Sequence, residues 1–284
     1  MKKALFYEKH GSLIKCNLCP NYCLIPTKKT GKCRKRVNYN NVLYTENYCK
    51  TISMQLDPMR KKPLYYFNEN DEILSLGANS CNLTCLYCQN YTSSQLECAT
   101  TYITPKDLLK YCQKNKIKHV AFTFTEPFTW FEFIYESAQL LYYNQISTVL
   151  ITNGYVNKEP LEFILPYISA MNIDLKAFTE HFYVEICGGH LQPVLDTIRS
   201  TYSRTHIEIT FLMIENLNDN IDELFKMFSF IRDLNPDIPL HISKYFPNYL
   251  MTRKTTSSET INRTVDIAKT LLHKVHTGNI FNRY

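Results

Sequence analysis

Cys81-Asn82-Leu83-Thr84-Cys85-Leu86-Tyr87-Cys88 is the stretch on which the reading of this 284-residue chain turns. Its C-x3-C-x2-C spacing sets three thiolates within one short run, and each can hold one iron of a cubane cluster whose usual fourth ligand is another cysteine. The run supplies no fourth. An iron left without a protein ligand is free to take one from elsewhere, just as an open coordination position separates a catalytic metal site from a structural one. The same three thiolates also suit a zinc knuckle or a cluster used only for electron transfer, so the surrounding sequence has to decide.

Working outward, the pattern from residue 73 onward alternates short apolar runs with amphipathic segments, the βαβ rhythm of a parallel sheet. Strands are expected over 73–76, 119–123, 147–152, 170–174, 206–212 and 239–241. Helices are expected over 105–115, 130–143, 158–167, 191–202, 220–234 and 257–273. The first of these starts at Thr104-Pro105-Lys106-Asp107, an N-cap followed by proline at the first helical position. Six βα units fall two short of a complete eight-stranded barrel, and functional groups belong at the C-terminal ends of such strands. The expected fold class is α/β: a partial (β/α)6 barrel over 71–284, preceded by a small Cys-rich N-terminal module over 1–70. The residues from Thr277 to Tyr284 are expected to form a terminal strand and tail.

That module holds five of the eleven cysteines. Cys16, Cys19, Cys23 and Cys33 read C-x2-C-x3-C-x9-C, with Pro20 and Gly31 as turn formers, and a segment this short needs a metal to order it. Zinc, a second iron–sulfur cluster and no bound metal all remain open, because spacing alone does not choose between them.

Composition is ordinary for a globular chain, 45% hydrophobic and 20% charged, with 21 Tyr and 16 Phe as unusual aromatic weight. The net charge of +6 is scattered, without the concentrated basic stripe and interleaved aromatics of a nucleic-acid surface. There is no secretory h-region after Met1-Lys2-Lys3 and no apolar run of membrane-spanning length. Cysteines grouped at ligand spacings rather than dispersed in pairs imply a reducing cytoplasm.

Polar groups recur where the expected strands end. Glu126 follows the second strand, Asn153-Gly154 the third, Asp174-Leu175-Lys176 the fourth, and His241 closes the sixth. Each has a plain alternative: Glu126 as a helix cap, Asn-Gly as a turn, Asp-x-Lys as an exposed ion pair, and His241 as a buried core histidine. Cys187, before Gly188-Gly189, is either a thiol able to quench or relay a radical or a small buried hydrophobe, while Cys98 and Cys112 read as structural. The histidines form no i, i+4 pair on an expected helix, so no mononuclear histidine site is expected.

The cysteine run, with Tyr87 just before its last cysteine, resembles the signature of the radical S-adenosylmethionine (SAM) enzymes. The resemblance implies a [4Fe–4S] cluster on Cys81, Cys85 and Cys88 whose open iron binds the amino and carboxylate groups of SAM. Thr123-Phe124-Thr125-Glu126 stands where such enzymes commonly carry Gly-Gly-Glu, so only Glu126 carries over, toward the SAM amino group. Thr152-Asn153-Gly154 and Asp174-Leu175-Lys176 resemble the pyruvate formate-lyase activating enzymes, which implies Asn153 on the ribose, and Asp174 and Lys176 on the ribose or the methionine carboxylate.

Cys16-Asn17-Leu18-Cys19-Pro20, the run from Asp57-Pro58 to Lys62-Pro63-Leu64-Tyr65, Cys88-Gln89-Asn90, Cys187-Gly188-Gly189 and the segment from His241 through Pro247 narrow the match further. They look like the radical SAM enzyme of the AmmeMemoRadiSam system, a branch near the glycyl radical enzyme activases. The similarity runs from about Leu5 to Ile280 and implies Tyr87, Gln89 and His241 beside the cofactor. Phe246 departs from an expected histidine, and relatives often continue into a further cysteine-bearing tail.

The resemblance implies reductive cleavage of SAM to a 5′-deoxyadenosyl radical and hydrogen abstraction from an unidentified substrate, activase-like if that substrate is a protein residue. An electron donor such as flavodoxin or ferredoxin is the implied partner, with neither membrane nor nucleic acid involved. The alternatives are radical modification of a small molecule or peptide, and a non-catalytic iron–sulfur electron-transfer scaffold. The scaffold leaves Glu126, Asn153, Asp174 and Lys176 without a use.

Overall fold

The computed structural model describes residues 1–278; the last six positions, with most of the expected tail, lie outside the described residues. One eight-stranded sheet organises the chain: β1 (Ser53–Pro58), β2 (Glu72–Gly77), β3 (His119–Phe122), β4 (Ser147–Thr152), β5 (Ala170–Asp174), β6 (His206–Met213), β7 (Leu240–Lys244) and β8 (Val275–Gly278). Every strand lies beside its neighbour in sequence, and β2 through β8 are parallel while β1 is an antiparallel edge. The six expected strands form the centre. Their apolar runs are buried, as in β3, where all four residues are buried, because helices and loops cover both faces of a parallel sheet.

The helices follow their sequence signals: α1 (Pro105–Lys114), α2 (Phe131–Tyr143), α3 (Lys158–Ile164), α4 (Leu191–Thr201), α5 (Ile221–Leu234) and α6 (Ser258–Lys269). Thr104 and Asp107 form a reciprocal capping box at α1, and the side chains of Asn220 and Ser257 accept backbone N–H groups at α5 and α6. None of the helices among the described residues is long and apolar enough to cross a membrane.

The N-terminal segment forms short antiparallel ribbons. Leu13–Cys16 pairs with Tyr7–His10 and Leu24–Ile25, and Val42–Thr45 pairs with Lys2–Lys3 and Arg36–Tyr39. The ribbons fasten to α2 and its approach: Arg36 Nη2 donates to Glu132 Oε1 at 2.6 Å, and Trp130 Nε1 donates to the Asn47 carbonyl at 2.7 Å, all buried. The boundary expected near residue 70 falls inside the connection from β1 to β2, since β1 already belongs to the main sheet.

That connection, residues 59–71, crosses the end of the sheet where the strands begin. Its Met59 and Leu64 pack with Ile73, Ala121, Val149 and Ala170 in a small apolar cluster. Its backbone is fixed by Glu208 of β6, whose carboxylate accepts the N–H groups of Tyr65 at 3.0 Å and Tyr66 at 2.8 Å. His206 at 2.9 Å and His241 at 2.6 Å complete the set. Burial by itself raises the Glu208 carboxyl, but hydrogen bonds from the two histidines and the two N–H groups outweigh it and hold the group at about 2.

A folded value below the unfolded one of 4.5 means that Glu208 stabilises the fold fully above about pH 4.5 and loses that contribution as pH falls toward 2. We therefore expect Glu208→Gln to lower stability at pH 7 by roughly 1.5–3 kcal/mol, the scale of losing hydrogen bonds to a buried charged group. Urea unfolding between pH 7 and pH 2 checks this, and the gap between wild type and variant should narrow only below about 4.5.

Candidate active site

Just after the C-terminal end of β2, residues 78–90 carry the cysteine run without regular secondary structure of their own. Their backbone finds partners elsewhere. Residues 183–187 form a π-type turn that leaves its last carbonyls free, as helix ends do, and two of them are used: Thr84 N donates to Cys187 O at 2.9 Å and Leu86 N to Ile186 O at 3.0 Å. Gly188 ends the turn in the left-handed region, φ +69°, and a Cβ there would stand 2.2 Å from Thr84 Oγ1. At Gly189 a Cβ would meet Leu83 Cδ2 at 2.5 Å, so both glycines let the turn lie directly on the cysteine run. This clamp was not anticipated from the sequence, although the Gly-Gly pair marks it.

The three thiols differ in setting. Cys85 is buried and Cys81 and Cys88 are half-buried. Leu83 N donates to Cys81 Sγ at 3.5 Å, and Cys88 Sγ lies 3.1 Å from Ser94 Oγ. A hydrogen bond with Cys187 lowers the Cys85 thiol below its ordinary value, against burial, and Lys176 adds positive charge beside it. Burial pushes the Cys81 thiol well up, as does the Glu126 carboxylate nearby. Backbone N–H donation to Cys81, the Ser94 hydroxyl at Cys88 and a lysine beside Cys85 fit three thiolates on an iron–sulfur cluster. Cys187 is fully buried, 3.7 Å from Tyr87 Oη. It packs against the site from behind.

Glu126 is 2% exposed. Its Oε1 accepts Phe128 N at 3.0 Å and Thr152 Oγ1 at 2.7 Å, and its Oε2 accepts Asn153 N at 2.8 Å. It is therefore a helix cap as well as a strand-end carboxylate. Burial raises it to about 7 against these three hydrogen bonds. Where Gly-Gly-Glu was the pattern for comparison, Phe124 keeps the glycine conformation, φ +67°, a strained backbone of the kind that gathers at functional sites.

Asn153 links two strand ends to the cysteine run. Its Nδ2 donates to Asn82 Oδ1 at 2.9 Å and lies 3.8 Å from Cys81 Sγ, while its Oδ1 accepts Tyr155 N. The amide is turned to the cysteine run rather than left free for a ribose. Asp174 is partly exposed and pairs with Lys176 Nζ at 3.0 Å. Tyr87 is buried and Gln89 exposed on the run itself. Cys16, Cys19, Cys23 and Cys33 gather around a separate cavity.

His241 is not where the sequence pointed. Rather than closing its strand it is the second residue of β7, which runs on through Ile242 and Ser243 to Lys244, all buried. Its ring is 2% exposed, bonds Glu208 and lies against Tyr65 and His276, within the network beneath the start of the strands. The polar residue after Leu240 looked like a strand end because the sheet interior there is itself polar.

Three comparisons bear on this arrangement. The chain is 37% identical to uncharacterized protein MJ0808 of Methanocaldococcus jannaschii, covering 99% of this chain and 86% of the relative. Among solved structures it is similar in fold to Streptococcus suis SuiB bound to S-adenosylmethionine, with a TM-score of 0.58, 14% identity and 72% of this chain covered. The chain spans 49% of the length of SuiB. A radical SAM methyltransferase from Sphaerobacter thermophilus gives a TM-score of 0.53 at 11% identity, covering 75% of this chain and 67% of that one. The Radical SAM superfamily matches residues 76–231, from the end of β2 into α5. With that match spanning more than half of its length, the chain belongs to the radical SAM superfamily, whose cofactors are a [4Fe–4S] cluster and S-adenosylmethionine.

Proposed function

We propose that this chain is a radical SAM enzyme that takes a hydrogen atom from a residue of a protein or peptide substrate, as the glycyl radical enzyme activases do. The observation that carries the site is the hydrogen-bonded series from Glu126 to Asn153, Asn82 and Cys81, which joins the ends of β3 and β4 to the cysteine run. When bound, the cluster supplies the electron that cleaves SAM to methionine and a 5′-deoxyadenosyl radical.

In this reading Cys81, Cys85 and Cys88 are the thiolate ligands. Glu126 Oε2, which accepts only from Asn153, keeps acceptor capacity for the SAM ammonium. Asp174 is directed to the ribose hydroxyls and Lys176 to the methionine carboxylate. Asn153 acts as a positioning residue that orients Asn82 and Cys81, and Tyr87 stiffens the run from behind through Cys187. An external one-electron donor of the flavodoxin or ferredoxin class supplies reducing equivalents.

The preference for a polypeptide substrate rests on the rim. Leu250, 65% exposed, is tied to the cysteine run by its N–H to Leu86 O at 2.9 Å, and Phe246 on the same loop is also exposed. Exposed apolar side chains beside the cysteine run suit a peptide segment. The resemblance of Thr152-Asn153-Gly154 and Asp174-Leu175-Lys176 to the activases supports the same reading.

Anaerobic reaction with SAM and dithionite should release 5′-deoxyadenosine, and a deuterated polypeptide partner should pass deuterium into it. Deuterium uptake only from small molecules would contradict the polypeptide substrate. In Cys85→Ala we expect loss of about four irons per chain together with SAM cleavage, because a cubane stripped of one of three ligands exposes a second iron. A fully loaded, active Cys85→Ala protein would remove the ligand assignment.

The SAM pocket is tested separately. Glu126→Gln and Asp174→Asn should each weaken SAM binding by roughly 1.5–3 kcal/mol, the scale of a charge-assisted hydrogen bond, with iron content unchanged. Equilibrium titration of the cluster-loaded proteins reads this, and wild-type affinity in both variants would refute the pocket.

A further inference from the structure

The N-terminal segment brings together a second set of thiols that the reaction does not use. Cys16, Cys19, Cys23 and Cys33 line one cavity, three of them buried and Cys23 half-buried.

Arg36 is the independent observation. It lines the same cavity and is 1% exposed. Its Nη1 donates to Leu5 O at 2.7 Å and its Nη2 to Glu132 Oε1 at 2.6 Å, but its Nε has no partner among the described residues. A buried donor left unmet is costly, so such a group calls for an acceptor. Glu132 already balances the guanidinium charge, and the sulfurs of a cubane held by four cysteinates supply the acceptor that the Nε lacks.

We infer that Cys16, Cys19, Cys23 and Cys33 ligate a second [4Fe–4S] cluster, with the Nε–H of Arg36 donating to one of its sulfurs. Four protein thiolates fill every iron, so this cluster has no open position for SAM. It is seated on the cysteine run of the first. Ser80 Oγ donates to Cys33 O at 2.9 Å, and Asn21 Nδ2 donates to Asn82 O at 2.8 Å while lying 3.6 Å from Cys19 Sγ. Ser80 and Asn82 flank Cys81, so each bond ends one residue from a ligand of the first cluster. Gly31 completes the fit, because a Cβ there would press on Cys23 Sγ at 3.3 Å.

Metal and sulfide analysis of the anaerobically reconstituted full chain is the test. About eight irons and eight sulfides per chain, with no stoichiometric zinc, are expected, as two cubanes require. About four irons with one zinc, or four irons alone, would overturn the inference. Cys23→Ala should keep about four irons and the SAM-dependent change in the electron paramagnetic resonance spectrum. Cys85→Ala should keep the other four. The two assignments therefore fail separately. Should Cys23→Ala not fold, Mössbauer spectra of the wild-type protein count cluster irons without any variant, and a count of four would be equally decisive against the second cluster.

Discussion

A thirteen-residue loop with no secondary structure must hold three sulfurs in fixed relation, and everything else at the site depends on how its backbone is satisfied. The solution is borrowed pairing. The free carbonyls of the turn at 183–187 take the N–H groups of Thr84 and Leu86 from one side. From the other, Asn153 and Asn21 hold the side chain and carbonyl of Asn82. A loop tied by both its main chain and its side chains gives up little further entropy when metal binds. That is the sense in which the site is preformed.

The constraint explains why strand ends far apart in sequence carry polar residues. Glu126 is the node: it caps the segment after β3 through Phe128 N, and through Asn153 N it sets the start of the turn after β4. Its raised carboxyl value reflects burial of a charge that three hydrogen bonds only partly offset. A buried carboxylate with spare acceptor capacity beside Cys81 has the chemistry that the proposed SAM site requires of it.

Much of this was legible in the sequence, for physical reasons. The central strands are buried on both faces, so they read as short apolar runs, and the helices announce themselves by caps such as Thr104 and Asn220. What escaped notice lacks such signals. Strand β1 is largely exposed at the sheet edge and ends in Pro58, so it reads as loop. His241 was misplaced because Glu208, thirty-three residues away, supplies the partner that lets a histidine sit inside a sheet. The positive φ of Phe124 has no local sequence mark at all, since phenylalanine is a poor choice there. Long-range pairing and backbone strain are properties of the assembled fold rather than of any window of sequence.

The central claim is that SAM meets an open iron above Cys81, Cys85 and Cys88, with Glu126 beside its amino group. Electron–nuclear double resonance on the reduced protein, with SAM labelled with nitrogen-15 at the amino position, addresses this most directly. The account predicts a hyperfine coupling large enough to require a nitrogen bonded to iron. A saturating SAM complex with an intact cluster signal and no such coupling would contradict it.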